Sequence, residues 1–416
     1  MSSYLEESDA GARIMARCDA LGSISLPGEG VTRLYLTKEH RRAAETLQRW
    51  MEEAGMEARI DEVGNVIGRY HSASGAGPYL LTGSHMDSVI NAGRYDGPLG
   101  VLTSLDCVAT LNGRGQRMPF GIEVVAFGDE EGARFRTTLA GSRAVTGHYG
   151  DDLRSARDGD GVMMMDALTE FGLDPAQIGK AKHRPEDIIG FVELHIEQGP
   201  MLEAKDVAVG VVTAISGQSR SEVHLTGTPN HAGTVPMGMR HDPVLAASEI
   251  ALALEQIATR YENTVGTVGF IQAKPGLINV IAGDVSLTVD LRSQLDEIRY
   301  AAYAEFEAEA RKIAELRGVG IKIEAILDLK SCPCAPAFIS QLEAAAQRTG
   351  LEAITLPSGA GHDGMEMSSV TEIGMIFVRC KGGVSHSPDE SVTANDVAAG
   401  AAVLMSFIEN FQGNER

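Results

Sequence analysis

The sequence predicts an α/β protein whose main sheet is interrupted by an inserted α+β domain. Two observations favour the main sheet: short apolar segments end abruptly in polar residues and glycine, and helical segments lie between them. A third observation predicts the insertion, because between about residues 216 and 330 the pattern changes to the β-α-β-β-α-β order of a ferredoxin-like fold. With 416 residues, the chain is also too long for a single core, so we expect two domains.

The segments assigned to the main sheet are "PYLLTGSH", "GIEVVAFGDEEG", "DIIGFVELHIEQG" and "GMIFVRCKGG". The spacing of Leu47, Trp50 and Met51 among charged residues predicts an amphipathic helix over residues 38–54. The stretch "EARIDEVGNVIGRY" predicts two strands around a turn, and residues 97–111 predict a further helix. Apolar strands separated by helices indicate a sheet covered on both faces, with functional residues just beyond the carboxyl ends of its strands.

The inserted segment has its own sequence of elements. We predict strands at Ser221–Thr226, Val265–Gln272, Val285–Ser293 and Ile321–Leu329, and helices at Pro243–Tyr261 and Asp296–Arg317. Because the segments on both sides of it fit the main sheet, the first domain would comprise residues 1–215 and 331–416. The inserted domain would comprise residues 216–330.

The composition limits the classes of partner. A formal charge of -21 argues against nucleic acid and anionic membrane surfaces, which both require basic patches. A small anionic substrate stays compatible with this charge, because a metal ion or one arginine can reverse the local field. The five cysteines follow no disulfide framework, "MSSYLEESDAGARIM" has no signal-peptide pattern, and no apolar run is long enough to span a membrane. We therefore expect a cytoplasmic protein.

Side chains that can bind metal follow four of the predicted strands. They are His85 and Asp87, then Asp96 in a turn between Gly93 and Gly97, the triplet Asp129, Glu130 and Glu131, the alternating Glu193, His195 and Glu197, and finally His386. A lone histidine at a strand end is more often an ordinary buried or surface group, and an acidic triplet is usually a solvated turn or a helix start. Four such strand ends together indicate a site for zinc, manganese or cobalt.

Other catalytic schemes are less favoured. The sequence contains no G-x-S-x-G nucleophile elbow, no G-x-x-x-x-G-K-[ST] phosphate loop and no H-E-x-x-H zinc helix. The segment "GAGHDG" is rich in glycine but lacks the spacing of a nucleotide-binding loop, so we expect it to offer backbone hydrogen bonds. Two adjacent glutamates, in contrast, allow one to bind metal while the other handles protons.

Six segments carry a resemblance to a known family: "GSHMDS…GRYDGPLG", "DEEGARF", "ELHIEQGPMLE", "NHAGTVPMGMRHDP", "SGAGHDG" and "VSHSPDE". In this order, from about residue 80 to 390, they resemble the dinuclear-metal amidohydrolases related to aminopeptidases and carboxypeptidases. More narrowly, they resemble the carbamoylase branch, which contains allantoate amidohydrolases and N-carbamoyl-L-amino-acid hydrolases. "ELHIEQGP" is the marker of this branch, because the wider group usually has an acidic ligand where this chain has His195.

The resemblance implies two divalent metal ions (Zn, Mn or Co) in each subunit. It assigns one ion to His85, Asp96 and His195, and the other to Asp96, Glu131 and His386, with Asp96 bridging. It makes Asp87 the residue that orients His85, and Glu130 the general base that moves a proton from water to the departing nitrogen. The implied fold is a mixed-sheet α/β catalytic domain with an inserted lid, through which two subunits form a homodimer.

The resemblance also implies contacts to the substrate. His231, in "PNHAGTVP", would donate to the attacked oxygen and would come from the lid of the second subunit. The residues implied to orient the substrate are Gln218, Asn279, Arg292 and Ala360. Arg292 would grip a carboxylate, and Ala360 would offer its backbone amide. Taken without the resemblance, His231 is an exposed loop histidine and Arg292 belongs to a surface ion pair.

The activity implied is hydrolysis of a C–N bond in a small linear ureido (N-carbamoyl) acid, with release of ammonia and carbon dioxide. Allantoate is the first expected substrate, with N-carbamoyl-L-amino acids as the alternative, followed by ureidoglycolate and β-ureidopropionate. His195 makes an aminoacylase or dipeptidase activity less favoured. A non-catalytic metal-binding homologue would be indicated by loss of Glu130 or of a ligand, and the sequence shows neither loss.

Overall fold

The computed structural model describes residues 9–75 and 77–413. Its strands are β1 (Glu57–Ile60), β2 (Val66–Tyr70), β3 (Tyr79–His85), β4 (Gly121–Phe127), β5 (Ile188–Ile196), β6 (Val209–Ile215), β7 (Gly217–Thr226), β8 (Asn230–His231), β9 (Thr264–Thr267), β10 (Ile271–Lys274), β11 (Val280–Ile281), β12 (Asp284–Ser293), β13 (Gly320–Leu329), β14 (Cys332–Pro333), β15 (Ala353–Ser358) and β16 (Ile373–Val378). The N-terminal segment in which we expect no signal peptide lies partly outside the described residues.

The α-helices are α1 (Ala10–Gly22), α2 (Lys38–Glu53), α3 (Pro98–Gly113), α4 (Ala140–Thr146), α5 (Asp151–Ser155), α6 (Met164–Glu170), α7 (Met201–Lys205), α8 (Pro243–Arg260), α9 (Asp296–Arg317), α10 (Pro336–Thr349), α11 (Gly364–Met367) and α12 (Ala394–Asn410). Single turns of 3-10 helix lie at Pro185–Asp187, Met237–Met239 and Lys381–Gly383, and a longer one at Pro175–Ala181. Within the described part of the chain, none of these helices is both long and apolar enough to cross a membrane.

The chain divides into two compact units. The first comprises Met1–Thr213, Cys334–Leu356 and Gly361–Arg416, and the second comprises Ala214–Pro333 and Pro357–Ala360. The predicted boundaries after residues 215 and 330 lie near the points where the chain passes from one unit to the other. The catalytic role of the first unit and the lid role of the second stay predictions.

The first unit is built around a nine-stranded mixed sheet, which confirms the predicted α/β class. The strand order is β1-β2-β4-β3-β5-β16-β6-β14, and β15 also pairs with β6. The four neighbouring strands β4, β3, β5 and β16 are parallel to one another, whereas β2 and β6 pair with them in the antiparallel sense. The carboxyl ends of these four parallel strands therefore lie at the same edge of the sheet.

Helices cover this sheet as the apolar segments predict. Every residue of β4 and of β16 is buried, so both faces of these strands are covered. Helix α3 packs against β3, β4 and β5, and α12 packs against β16. The predicted helix over residues 38–54 is α2, whose first turn is capped by the side chain of Thr37 accepting from the backbone N–H of His40.

The second unit contains an antiparallel five-stranded sheet with the order β10-β12-β7-β13, in which β9 also pairs with β12. With α8 and α9 the order along the chain is β-α-β-β-β-α-β, which is the predicted β-α-β-β-α-β order with one strand divided in two. One face of β7 and β12 is buried, with Val223, Leu225, Leu287, Val289 and Leu291 in a core shared with the two helices.

One predicted strand of the second unit is wrong. The segment Val265–Gln272 is not continuous, because residues 268–270 separate β9 from β10. Thr267 lies opposite Asp290, whereas Ile271 lies opposite Leu287, so the segment contains one residue more than its partner strand between these two pairs. This extra residue is a β-bulge beside Gly269, and the kinds of residue in the segment do not reveal it.

Candidate metal centre

The parallel strands of the first unit bring the four predicted strand ends together. His85 is the last residue of β3, the acidic triplet at 129–131 follows β4, His195 lies near the end of β5, and His386 lies in the loop after β16. Potential ligand atoms lie within 4.8 Å of one another in four groups: His85, Asp96 and His195; Asp96, Glu131 and His386; His85, Glu130 and Glu131; and Glu193, His195 and His362.

Asp96 lies where the first two of these groups meet. Its Oδ1 is 3.4 Å from Nε2 of His85 and 3.1 Å from Nε2 of His195. Its Oδ2 is 3.2 Å from Nε2 of His386, which is itself 3.6 Å from Oε1 of Glu131. Each oxygen of one buried carboxylate thus faces a different set of potential ligands.

The two buried imidazoles at this site are oriented by backbone carbonyls. Nδ1 of His85 lies 3.1 Å from the carbonyl oxygen of Asp87, and Nδ1 of His195 lies 2.9 Å from that of Ile196. Because a carbonyl oxygen can only accept, each Nδ1 carries a proton and each Nε2 can offer its lone pair to a metal.

Within the part of the chain that the structure describes, several buried atoms at this site lack a hydrogen-bond partner, among them Nε2 of His195 and Oε1 of Glu131. Buried polar atoms are normally paired, so unpaired ones that face other potential ligands indicate a missing partner. Imidazole nitrogens together with carboxylate oxygens are donors that suit Zn²⁺, Mn²⁺ or Co²⁺. On this observation, the residues present fit a metal centre.

The Asp87 carboxylate holds the acidic triplet in place. Its Oδ1 accepts the backbone N–H of Glu130 at 3.1 Å, and its Oδ2 accepts that of Glu131 at 3.2 Å. The same Oδ1 is 3.7 Å from Nδ1 of His85, so it is the Asp87 carbonyl oxygen that makes the hydrogen bond to the imidazole. The predicted role of Asp87 in orienting His85 therefore involves its backbone, and its carboxylate has a second task.

The electrostatic balance of the centre also favours a bound cation. Burial and the nearby carboxylate of Asp96 raise the pKa of Glu131 to about 7. Burial, together with the neighbouring Glu131 and Asp363 carboxylates, raises the pKa of Glu130 well above its ordinary value. The hydrogen bond to Asp96 raises the pKa of His386 to about 9. Carboxylates and imidazoles here hold protons that a divalent cation would replace.

Three residues at the centre adopt left-handed backbone conformations that are uncommon outside glycine. They are Asp129 with φ 61°, Gln198 with φ 55° and His386 with φ 54°. Each lies at or beside a potential ligand, at the point where the chain leaves a strand or turns in a loop. Such conformations cost free energy and concentrate at functional sites, where the surrounding structure holds them in place.

The support of Asp96 comes from residues that the sequence did not single out. Its Oδ2 accepts hydrogen bonds from Nε2 of Gln198 at 2.9 Å and from Oγ of Ser385 at 2.7 Å. Glu390 accepts the backbone N–H groups of Tyr95 and Asp96 through Oε1, at 2.8 and 3.2 Å. Ser385 lies 3.1 Å from Oε2 of the same glutamate, so Glu390 joins the Asp96 turn to the His386 loop.

Glu193 and His362 lie beside His195, whereas Glu197 contacts the start of α7. Glu193 is buried and accepts from Oγ of Ser84 at 2.7 Å, and the ring of His362 packs edge-on against His195 with centroids 4.6 Å apart. His362 belongs to the "GAGHDG" segment, from which we expected only backbone contacts. Glu197 instead accepts the backbone N–H groups at the start of α7, so it caps that helix.

His231 and Asn279 lie together in the second unit. Strands β8 and β11 pair in the antiparallel sense, with His231 opposite Val280, and the backbone N–H of Ala232 donates to the Asn279 carbonyl oxygen. His231 is exposed, and its Nδ1 accepts the backbone N–H of Gly233 at 3.0 Å. In its neutral form this imidazole therefore carries its proton on Nε2 and can donate to a ligand.

The remaining predicted substrate contacts also belong to the second unit. Gln218 is buried and lies opposite Arg292 across β7 and β12. Arg292 makes an ion pair with Asp290, the ordinary alternative that the sequence left open. The backbone N–H of Ala360 donates to Oγ of Ser358 at 3.2 Å, so it would have to exchange this bond to contact a substrate.

The chain matches one protein family and is similar to curated proteins over nearly its whole length. A family model described as peptidase family M20/M25/M40 matches residues 81–410. The chain is 41% identical over 395 residues to an N-carbamoyl-L-amino acid amidohydrolase of Geobacillus stearothermophilus, covering 95% of this chain and 97% of that protein. It is 39% identical over 427 residues to allantoate deiminase 2 of Glycine max, covering 95% of this chain and 88% of the relative.

Among solved structures, the fold is similar to that of an amidase of the hydantoinase/carbamoylase family from Burkholderia multivorans. The TM-score is 0.90 and the sequence identity is 33%, and the match covers 96% of this chain and 97% of the other. The similarity therefore extends over both units of the chain.

Proposed function

The chain belongs to the peptidase family M20/M25/M40, and from this premise we propose that it hydrolyses a C–N bond in a linear ureido acid, with release of ammonia and carbon dioxide. The observation that carries the proposal is the buried Asp96 carboxylate, which turns one oxygen to His85 and His195 and the other to His386. This arrangement suits a centre of two metal ions that share one carboxylate.

The metal-binding residues are proposed from the fit of their donor atoms. His85, Asp96 and His195 would hold one divalent ion, and Asp96, Glu131 and His386 would hold the other, as zinc, manganese or cobalt. When bound, such ions act as Lewis acids that polarise a carbonyl group and lower the pKa of water. Asp87 would hold the ligand Glu131 in position, because its carboxylate accepts a hydrogen bond from the backbone N–H of Glu131.

Glu130 is the proposed general base. It lies within 4.8 Å of His85 and Glu131, yet it belongs to neither of the two sets of ligands that share Asp96. Burial and neighbouring carboxylates raise the pKa of Glu130, which makes it a stronger proton acceptor than an exposed glutamate. Glu130 would take a proton from the attacking water and return it to the departing nitrogen.

The second unit would supply the substrate contacts. His231 would donate from Nε2 to the oxygen of the attacked carbonyl, the role for which its Nδ1 contact with Gly233 orients the proton. Gln218, Asn279, Arg292 and Ala360 would orient the ureido acid. By the resemblance, His231 comes from the second subunit of a homodimer formed through the inserted domain.

Two substrate classes are proposed, in order. Allantoate comes first and N-carbamoyl-L-amino acids second, and named relatives of both kinds cover nearly the whole chain. Ureidoglycolate and β-ureidopropionate follow. We propose a cytoplasmic location and no nucleic-acid or membrane partner, in keeping with the charge of -21.

The test is ammonia release by the metal-reconstituted protein. The panel comprises allantoate, ureidoglycolate, N-carbamoyl-β-alanine and several N-carbamoyl-L-amino acids, each compared with the Glu130→Gln variant as a matched control. We expect kcat/KM to be highest for allantoate or for an N-carbamoyl-L-amino acid. Absence of ammonia from every compound, in protein shown to contain metal, would refute the proposed function.

A further inference from the structure

The second unit contains a cavity of about 480 Å³ at its five-stranded sheet. Its charged lining residues are Arg220, Asp290 and Arg292, and Val265 and Ile326 contribute apolar walls. Two guanidinium groups and one carboxylate give the cavity a local charge of +1 in a chain whose formal charge is -21. A net positive cavity in such an acidic protein favours an anionic ligand.

The three charged side chains form one hydrogen-bonded cluster. Asp290 accepts from Nε of Arg292 through Oδ1 at 2.9 Å and from Nη2 of Arg292 through Oδ2 at 2.9 Å. Its Oδ2 also accepts from Nε of Arg220 at 2.8 Å. Arg220 lies directly opposite Asp290 across β7 and β12, so the sheet itself fixes both arginines around the aspartate.

The two arginines differ in the donors that they leave available. Asp290 occupies the Nε–Nη2 edge of Arg292, and Nη1 of Arg292 donates to the Gly359 carbonyl oxygen at 2.6 Å. Arg220 uses only Nε. Within residues 9–75 and 77–413, no group accepts a hydrogen bond from either terminal nitrogen of Arg220, whose side chain is 41% exposed. The free guanidinium end is therefore that of Arg220.

The position of Arg220 relates it to the proposed substrate contacts. It follows Gln218 by two residues on β7, so both side chains project from the same face of the sheet. Gln218 in turn lies opposite Arg292. Three neighbouring positions on one polar sheet face thus present an amide and two guanidinium groups.

We propose that Arg220 is a substrate-binding residue that, together with Arg292, holds the carboxylate of the ureido acid. This inference rests on the proposed function and deepens it. The Nη1 and Nη2 atoms of Arg220 form a planar fork that matches a carboxylate. Arg292 contributes its positive charge and the N–H groups that Asp290 and Gly359 leave unused. Asp290 fixes the positions of both guanidinium groups by accepting hydrogen bonds from each.

The experiment compares an acid with its uncharged counterpart. The probes are N-carbamoyl-L-alanine and its primary amide, with turnover measured on the metal-loaded enzyme and Kd measured by calorimetry on the Glu130→Gln variant. Arg220→Met should raise KM and Kd for the acid about tenfold or more, while both change less than about twofold for the amide. The kcat for the acid should stay within about twofold.

Two further variants separate direct binding from an effect through Arg292. The control is Arg260→Met, which removes an arginine paired with Glu305 in the same unit. It should leave the KM for the acid and the KM for the amide unchanged. In the Arg292→Met background, Arg220→Met should raise the KM for the acid by about threefold or more again. If Arg220 acted only by positioning Arg292, the second substitution would have no added effect, and the proposal would be wrong.

The outcomes also separate this inference from the proposed function. Ammonia release by the wild type with equal losses for acid and amide in Arg220→Met would overturn the role of Arg220 and leave the hydrolase intact. Absence of ammonia from every compound of the proposed panel would refute the hydrolase, and calorimetry with N-carbamoyl-L-alanine and its amide would still decide the inference. Equal Kd values for acid and amide in the Glu130→Gln protein would overturn the carboxylate subsite.

Discussion

Asp87 and Glu131 are joined by a hydrogen bond of 3.2 Å from the backbone N–H of Glu131 to Oδ2 of the aspartate. The other oxygen of Asp87 accepts the N–H of Glu130. One buried carboxylate that follows β3 thus fixes both glutamates that follow β4. The proposed base and a proposed ligand depend on the same side chain for their position.

This contact predicts that Asp87→Asn weakens the centre without removing a ligand. An amide has one acceptor and one donor group, so one of the two N–H groups would lose its partner. We expect metal affinity or kcat to fall by about ten- to a hundredfold, as measured by metal analysis and ammonia release. Asp106→Asn, in α3 and paired with Arg13, is the control and should leave both values nearly unchanged.

Glu130→Gln should separate proton transfer from metal binding. The glutamine keeps the shape of the side chain but cannot accept a proton, so kcat should fall by at least about a hundredfold while the metal content stays the same. Glu131→Gln, one residue later, should instead lose metal. Retained turnover in Glu130→Gln would assign the base to another group.

Hybrid dimers test the proposed origin of His231. Subunits with His231→Ala and subunits with Glu130→Gln should each be nearly inactive alone. If His231 serves the active site of the other subunit, mixed dimers contain one centre with both residues intact, and part of the activity returns. Activity is measured after mixing, with dimer exchange shown separately by tagged subunits. If the tagged subunits exchange but no activity returns, His231 does not act in the active site of the other subunit.

Gly97→Ala should disturb His85 directly. Gly97 has φ 80°, and an added Cβ would lie 2.5 Å from Cε1 and Nδ1 of the His85 ring. The ring is buried, so it has to shift, and we expect a loss of about 1–3 kcal/mol in the free energy of unfolding together with weaker metal binding. Gly113→Ala, at the other end of α3 with open space around it, is the matched control. Equal metal affinities in the two variants would contradict this prediction.

His183 predicts a pH dependence of stability. Burial opposes the charged imidazole, but the hydrogen bond of 2.6 Å with the buried Glu123 outweighs it, so the pKa of His183 is raised above its ordinary value of about 6.5. The folded state therefore binds more protons than the unfolded state above pH about 6.5. The stabilisation that protonated His183 contributes is complete below pH about 6.5. It is lost as the pH rises through the pKa that His183 has in the folded state.

The measurement is urea unfolding of chelator-treated protein between pH about 6 and 9, a range chosen to span the ordinary histidine pKa. The free energy of unfolding of the wild type should fall relative to that of His183→Gln as pH rises, with a slope of at most about 1.4 kcal/mol per pH unit. Glu123→Gln should remove the same component, because it removes the partner. Parallel curves for wild type and His183→Gln would show that this pair does not titrate in the range.

The main sheet was predictable because its signals are local. An apolar run ending in "SH" or "GDEEG" identifies a strand end from a few residues, and parallel strands bring such ends to one edge. The bulge between β9 and β10 was not predictable, because one additional residue changes the pairing with β12 without changing the kinds of residue in the segment. The free end of Arg220 depends on which edge of a guanidinium faces Asp290, and side-chain orientation is not encoded in residue spacing.

The supports of Asp96 were not predictable for a different reason. Glu390, Ser385 and Gln198 lie in loop segments that carry the resemblance, but the residue types and spacing within those segments do not assign a contact to any of the three. Their roles arise from contacts with a turn that lies far away in the sequence. His362 was similarly hidden, because the glycines around it suggested a backbone role.

The hydrogen bond between Glu390 and Asp96 joins residues that are 294 positions apart. A ribosome would release His85, Asp96 and His195 long before the segment that carries Ser385, His386 and Glu390. Until that segment is synthesised, the Asp96 side chain lacks its hydrogen bond from Ser385, and the Asp96 backbone N–H lacks its acceptor on Glu390. Completion of the proposed centre therefore waits for the last part of the chain, and a product truncated before Ser385 would lack the proposed ligand His386.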